Sequence, residues 1–359
     1  MRRRDFLGLG AGVGALALAG CSSTSDGGSP TSSAPGRRPN GSGNATGTTD
    51  QSDLRGVYVQ SFEESMSMQG TASAGPYEFA LMFTVPHTFW TVTGSDVEVT
   101  PKADHSVHLM ATVWDTETET VLPETGLSAE ILRDGETVSQ EVIYPMLSQP
   151  MGFHYGGNFT LPGDGQYTTR LSVGGTSIQR RGAFEGTFGD PATAEVPLEF
   201  TDTTRSEVTT QQVEQGGDRG ALAPMDAMFP QAVAPETDDL PGSVVGEATS
   251  GEAVFVLTQV ETDSADESYL AVSARTPYNR LLIPAMGLSL TATRDGRTRY
   301  EGGLARTLDP DLRYHYGATV PTLRSGDVLT LSVTTIPQVA RHEGYEEAFV
   351  EMPPMELTV

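Results

Sequence analysis

The side chains able to do chemistry in this chain are few and concentrated. Its 359 residues include six histidines and twelve methionines. The stretch from position 146 to 158 reads M-L-S-Q-P-M-G-F-H-Y-G-G-N and holds Met146, Met151 and His154. Upstream, the run S-V-H-L-M-A-T-V-W at 106–114 has the composition of a strand. Strict alternation there puts His108 and Met110 on one face, because side chains two apart point the same way. Imidazole with thioether is a soft to borderline donor set. It suits Cu(I), accepts Cu(II) and serves Ca²⁺ or Mg²⁺ badly. Met66, Met68 and Met82 could add thioethers nearby. The competing reading is that methionine fills β cores and a strand histidine is simply satisfied or exposed. Spacing alone leaves both open.

Other chemistries lack a motif. The sequence has no G-x-S-x-G elbow, no H-E-x-x-H, no phosphate loop and no dinucleotide fingerprint. Its acids could supply a carboxylate pair, but nothing singles one out. His105 reads as a solvated strand-end residue and His87, after Pro86, as a loop residue. The expectation is a protein that is not an enzyme.

The elements that must position these groups are strands. Forty glycines, 23 prolines and frequent turn signals indicate an all-β chain. Strand-like runs are expected at 54–62, 77–85, 88–92, 106–114, 125–132, 138–144, 155–161, 167–173 and 197–200, with 63–75 as a loop. Asp134-Gly135 between apolar runs signals a hairpin. These short strands predict a β-sandwich.

An internal repeat then doubles the architecture. Shifting the sequence by 161 positions places His154-Tyr155-Gly156 on His315-Tyr316-Gly317, and Arg133-Asp134-Gly135 on Arg294-Asp295-Gly296. Pro123, Gly126-Leu127-Ser128 and Gly165 find their copies in the same register, with no gap from about 109 to 181. The second copy appears without the long front end at 54–100. The candidate ligands do not repeat: His108 falls on Tyr269, Met110 on Ala271, Met146 on Thr307 and Met151 on Leu312, while Arg181 falls on His342.

Charge and the N-terminal region concern location. There are 22 basic and 47 acidic residues, with Lys102 the sole lysine. That excludes a nucleic-acid footprint. Acids spread along the whole chain fit a protein of a halophilic archaeon better than an acidic surface built for a substrate or cation. Arg2-Arg3-Arg4-Asp5-Phe6-Leu7 contains a twin-arginine signal. An apolar run too short to span a bilayer follows, and then Leu18-Ala19-Gly20-Cys21, a lipobox. As the only cysteine, Cys21 excludes an intramolecular disulfide and is the expected lipidation site. The Ser/Gly/Thr/Pro-rich segment 22–53 reads as a disordered tether. The expected domains are signal and lipobox at 1–21, tether at 22–53, a metal-binding-type sandwich at 54–201, a linker at 202–251 and a degenerate second sandwich at 252–359.

His108-Leu109-Met110, Met146 and His154-Tyr155-Gly156-Gly157-Asn158, with Gly165 and Tyr167 after them, resemble the periplasmic iron-transport-associated, copper-binding lipoproteins. That family's fold is an immunoglobulin-like β-sandwich. The likeness covers about 56–201 and, more faintly, 252–356. In the family a strand reads H-L-E, a Met stands seven residues before H-Y-G-A-N, and a third His lies in an R-H-T segment. Here Met110 replaces the Glu. Met146 lies eight residues before His154, so Met151 rivals it. The third His is missing at Arg180-Arg181-Gly182 but present at Arg341-His342-Glu343. Family members dimerise, so the resemblance implies an intramolecular pseudo-dimer of the two sandwiches in which His342 approaches the first site. It further implies a membrane-anchored lipoprotein that binds copper or iron as an accessory to uptake, with a permease as partner. The alternative is a metal-free cell-surface interaction module with the same fold and a degenerate site.

Overall fold

Wherever β-branched and aromatic residues alternate between Gly, Pro and Asp turns, the chain forms strands. The computed structural model describes residues 56–359, so the signal, Cys21 and the tether lie outside the described residues. The first half contains β1 (Phe62–Glu64), β2 (Ser67–Ala74), β3 (Tyr77–Thr84), β4 (Phe89–Thr93), β5 (Asp96–Thr100), β6 (Val107–Asp115) and β7 (Ser128–Arg133). After these come β8 (Glu136–Ser139), β9 (Tyr144–Ser148), β10 (Gly152–Phe159), β11 (Gly165–Val173), β12 (Gln179–Arg180), β13 (Ala192–Phe200) and β14 (Thr210–Gln212). The second half contains β15 (Ser243–Ser250), β16 (Ala253–Glu261), β17 (Glu267–Arg275), β18 (Gly287–Arg294) and β19 (Arg297–Asp309). It ends with β20 (Arg313–Pro321), β21 (Val328–Thr335), β22 (Ala340–Arg341) and β23 (Met355–Thr358). The protein is all-β, as its composition implies. Among the described residues no helix is long and apolar enough to cross a membrane.

Each half is a sandwich of the same plan. In the first, β2-β3-β6-β10-β9 form one sheet and β13-β11-β7-β8 the other. In the second, β15-β16-β17-β20-β19 continue into β19-β18-β21-β23, because the long β19 leaves one sheet for the other. Its residues 297–304 pair with β18 and 305–309 with β20. Both Asp-Gly turns have positive φ at Asp and Gly: 54° and 84° at Asp134-Gly135, 50° and 70° at Asp295-Gly296. That is the geometry a tight hairpin between right-twisted strands needs.

Several expectations need revision. The 63–75 segment is not a loop, since β2 occupies most of it. A bulge between Met68 and Gly70 breaks the alternation there and hides the strand. Of the strand expected at 54–62, the described residues 56–62 form an isolated bridge from Tyr58 to Arg219 and the start of β1. The second sandwich begins at β15, inside the 202–251 segment read as linker, and β15–β16 pair in the manner of β2–β3. What the second half lacks is the β4–β5 hairpin. The rest of the 202–251 segment packs: Phe229 is buried and Met225 half-buried, whereas Met228 is 83% exposed.

The halves also exchange short strands. β22 leaves the second half and lies between β9 and β4 of the first, with Ala340 beside Met146 and Arg341 beside Trp90. In return β12 runs parallel to β19, with Gln179 beside Thr307. The next residues continue the exchange, His342 N–H donating to Leu147 O at 3.2 Å and Arg181 N–H to Leu308 O at 2.9 Å. The guanidiniums of Arg180 and Arg341 bond the carbonyls of Thr187 and Ala348, again in the 161-residue register.

Candidate metal centre

Period-2 geometry carries the site. Register pairs Met110 on β6 with Gly156 on β10, His108 with Asn158, and His154 with Met146 on β9. Cross-strand partners share a face, so His108, Met110, Met146, His154 and Gly156 stand on one side of the sheet. Tyr155 points the other way, its hydroxyl accepting from Thr125 N–H at 3.0 Å. In the second half Tyr316 accepts from Met286 N–H at the same distance. The tyrosine of the repeated triplet is therefore a structural clasp in both halves.

Four imidazoles converge. The ring of His87 lies 4.0 Å from that of His108 and 4.8 Å from that of His342, centroid to centroid. His342 and His154 are 5.3 Å apart. One nitrogen each of His87, His108 and His342 fall within 4.8 Å of one another. His342 Nε2 is 3.3 Å from Met146 Sδ. Two ligands at about 2 Å from a tetrahedral ion are about 3.4 Å apart, so a small inward movement of the rings would complete such a set.

Hydrogen bonds fix the tautomers. His108 Nδ1–H donates to Asn158 Oδ1 at 2.8 Å, and His154 Nδ1–H to Gly152 O at 3.1 Å. His87 Nδ1–H donates to Glu64 Oε2 at 3.1 Å and to Val85 O at 3.2 Å. Each leaves Nε2 with a free lone pair. The Nε2 atoms of His87, His108 and His154 are buried and have no hydrogen-bond partner. Orphaned buried polar atoms are costly, and three together form a donor set open to a metal ion. An oxygen acceptor on the far ring nitrogen, as His87, His108 and His154 have, is the usual outer support of a histidine that binds a metal. Charge fits too. Burial, and secondarily the neighbouring His87, holds His108 well below its ordinary pKa. Burial lowers His154 to about 4, and His342 lies well below the usual range for the same reason. Those three rings, His108, His154 and His342, are therefore neutral at pH 7, as ligands must be.

Glycine makes room for the cluster. A Cβ on Gly156 would lie 2.9 Å from both His108 Nε2 and Met146 Sδ. The backbone of β10 is thus the floor on which these two atoms meet. A cleft of about 760 Å³ opens onto the cluster. His87, His154 and His342 line it with Met110 and Met151, and with Met66 from the front end.

The second half has the same frame with different chemistry. Tyr269, in the place of His108, puts its hydroxyl 2.9 Å from His315 Nε2 and 3.3 Å from Thr307 Oγ1. The Arg181 guanidinium sits over the Tyr269 ring, 3.6 Å from its centroid. Where the first half leaves lone pairs unused, this arrangement closes on itself. A cation–π contact stands where the other half brings His342.

Of the residues singled out from sequence, His108, Met146, His154 and His342 come together here. Met110 and Met151 lie on the cleft wall beside them. His87 was read as a loop residue, yet it is central. Its place depends on the turn from β3 into the β4–β5 hairpin, which no spacing rule marks. The one available signal was scarcity, since four of six histidines serve one place. His105 lines the same cleft outside the cluster, with Nδ1 3.1 Å from Thr160 Oγ1.

No curated protein matches this chain. A family described only as a domain of unknown function, DUF7350, matches residues 238–358, which is essentially the second half. Among solved structures, FetP of uropathogenic Escherichia coli strain F11, as isolated after expression in the periplasm, aligns with a TM-score of 0.31 and 18% identity, over 39% of this chain and 97% of FetP. A copper-bound variant of the same FetP aligns with a TM-score of 0.30 and 18% identity, over 39% of this chain and 98% of the variant.

Proposed function

We propose that this chain binds a copper ion as cargo between His87, His108, Met146 and His342, with His154 beside them. The observation that carries the proposal is the set of three buried, partnerless Nε2 atoms, each on a ring whose Nδ1–H is held by an oxygen. Neutral nitrogen and thioether donors favour copper, in particular Cu(I), over hard divalent ions. Iron is the weaker candidate, because the two carboxylates that line the cleft are turned to other partners: Glu64 is engaged by His87, and Glu343 accepts from Ser61 N–H. A metal-free interaction module would have no use for these lone pairs. It would be expected to close its site as Tyr269 and His315 do in the second half.

The twin-arginine signal and the Cys21 lipobox support an extracytoplasmic protein held at the membrane by lipid, and the family resemblance supports an accessory role in iron or copper uptake beside a permease. On this reading the protein is not an enzyme, and the two sandwiches act as one pseudo-dimer. The test is an anaerobic Cu(I) titration against a chromophoric chelator, on wild type and His108→Ala. Wild type takes up a first, tight equivalent, and the variant binds it at least 100-fold more weakly. Equal binding by the two, or none by either, sinks the copper assignment. A Cys21→Ala chain that stays in the membrane fraction sinks the anchor.

A further inference from the structure

The two exchanged strands have unequal neighbours. In the first half β22 lies between β9 and β4, so the β4–β5 hairpin covers its outer edge. In the second half β12 pairs with β19, and among the described residues no strand lies on its other side. An open strand edge is a template for another strand.

The first half shows what such an edge can hold. Phe89 of the hairpin packs with Met146 and Ala340, its ring 5.5 Å from that of Tyr144. Trp90 pairs with Arg341. At the hairpin tip Gly94 N–H donates to Gln338 Oε1 at 2.8 Å, and Gln338 Nε2 donates to Gly94 O at 2.9 Å. In the 161-residue register Gln338, Ala340 and Arg341 correspond to Ser177, Gln179 and Arg180, and Tyr144 and Met146 to Ala305 and Thr307. Ala340 and Arg341 are 4% and 0% exposed, whereas Gln179 is exposed and Arg180 half-buried. Ser177, Gln179 and Ala305 line a groove of about 460 Å³, with Met286, Leu288 and Leu304 as its apolar wall. The groove therefore stands where the hairpin stands in the first half, and alanine in place of Tyr144 leaves room for a ring.

Chemistry narrows the occupant. Arg306 at the rim is paired with Glu124. Ser177 and Gln179 are neutral, so a charged segment gains little and a strand with a bulky apolar side chain gains most. Gln338 also lines the groove, which makes it continuous with the seam between the halves. Segment 22–53 has no aromatic residue, and the chain's own hairpin is engaged in the first half. We infer that the outer edge of β12 and the groove beside it dock an extended segment of a partner protein, which joins the sheet as a strand and lays an aromatic side chain over Ala305. Main-chain hydrogen bonds supply the affinity, and the groove selects the side chain. This surface is independent of the copper reading.

The probe is a synthetic peptide with the sequence of residues 88–100, the hairpin itself, added to the full chain. It binds saturably with a Kd below about 1 mM, and amide hydrogen exchange within 177–181 slows at least 10-fold. A peptide with alanine in place of Phe89 and Trp90 binds at least 10-fold more weakly. So does the original peptide to chains carrying Ser177→Glu or Ala305→Glu, two changes at solvent-accessible positions that leave the core alone. Absence of saturable binding, protection confined to β22 and β9, or equal binding by both variants overturns the docking edge. Dimerisation of the full chain in sedimentation, with the same protection and no peptide, would give the groove to a second copy and overturn the assignment to a partner protein.

Discussion

Replacing Gly156 by alanine adds one carbon where the structure leaves no room. The new Cβ would sit 2.9 Å from His108 Nε2 and 2.9 Å from Met146 Sδ. Ordinary contacts need about 0.5 Å more, and metal–ligand distances tolerate only about 0.2 Å. Both atoms are tips of side chains, so the fold can yield by moving them, and binding suffers as they move apart. Displaced or badly supported ligands weaken metal affinity about 10- to 100-fold, or about 1.4 to 2.8 kcal/mol. Gly317→Ala is the matched control. Its Cβ would meet Tyr269 Oη and, at 2.9 Å, the Leu270 carbonyl, which belongs to the backbone and cannot swing aside. That variant should lose stability, on the order of 1–3 kcal/mol, and keep copper affinity. Competition titration reads the affinities and urea unfolding of metal-free protein reads the stabilities. Wild-type affinity in Gly156→Ala would refute the placement of the ion over β10.

Three further outcomes follow from the same geometry. His342→Ala should weaken the first copper equivalent at least 10-fold although it lies in the other half; unchanged affinity means that the exchanged strand brings no ligand. Tyr269→Phe leaves His315 Nε2 buried and unpaired, at a cost of about 1–3 kcal/mol in urea unfolding, with copper binding unaltered; an unaltered midpoint contradicts the closed arrangement. His315 is held by burial at a pKa of about 4, against 6.5 when unfolded. The unfolded chain therefore takes up the proton first as pH falls, and metal-free stability is complete above about pH 6.5 and drains toward pH 4. The loss for this one group is about 2 kcal/mol between pH 7 and 4.5. A His315→Gln chain should show a shallower pH profile, and an identical one would be the failing result.

Much of this was legible because period-2 spacing and an ungapped repeat are both one-dimensional signals. His108 with Met110 follows from alternation once the strand is recognised, whereas the choice of Met146 over Met151 across from His154 needed the register between β9 and β10. The repeat further exposed Tyr269 and Thr307 as the changed positions. His87 was not legible, because a loop residue's direction is set by the hairpin that follows it. The two-residue strands at Gln179–Arg180 and Ala340–Arg341 are too short to leave a pattern, yet they decide which half supplies the last histidine. β2 was lost to its bulge, and β15, reading S-V-V-G-E-A-T-S, to its polar composition beside a Pro-Gly turn.

The exchanged strand has a mechanical consequence. An ion held by both His108 and His342 ties together two points about 230 residues apart, a loop longer than most disulfides close, and in the chain-entropy picture such a tie is worth about 5 kcal/mol against the open chain. Cargo in this position would act as a removable staple. Loading would stiffen the seam between the halves against pulling and proteolysis, and unloading would release it. A receiver that strips the ion would feel that change as well as the metal.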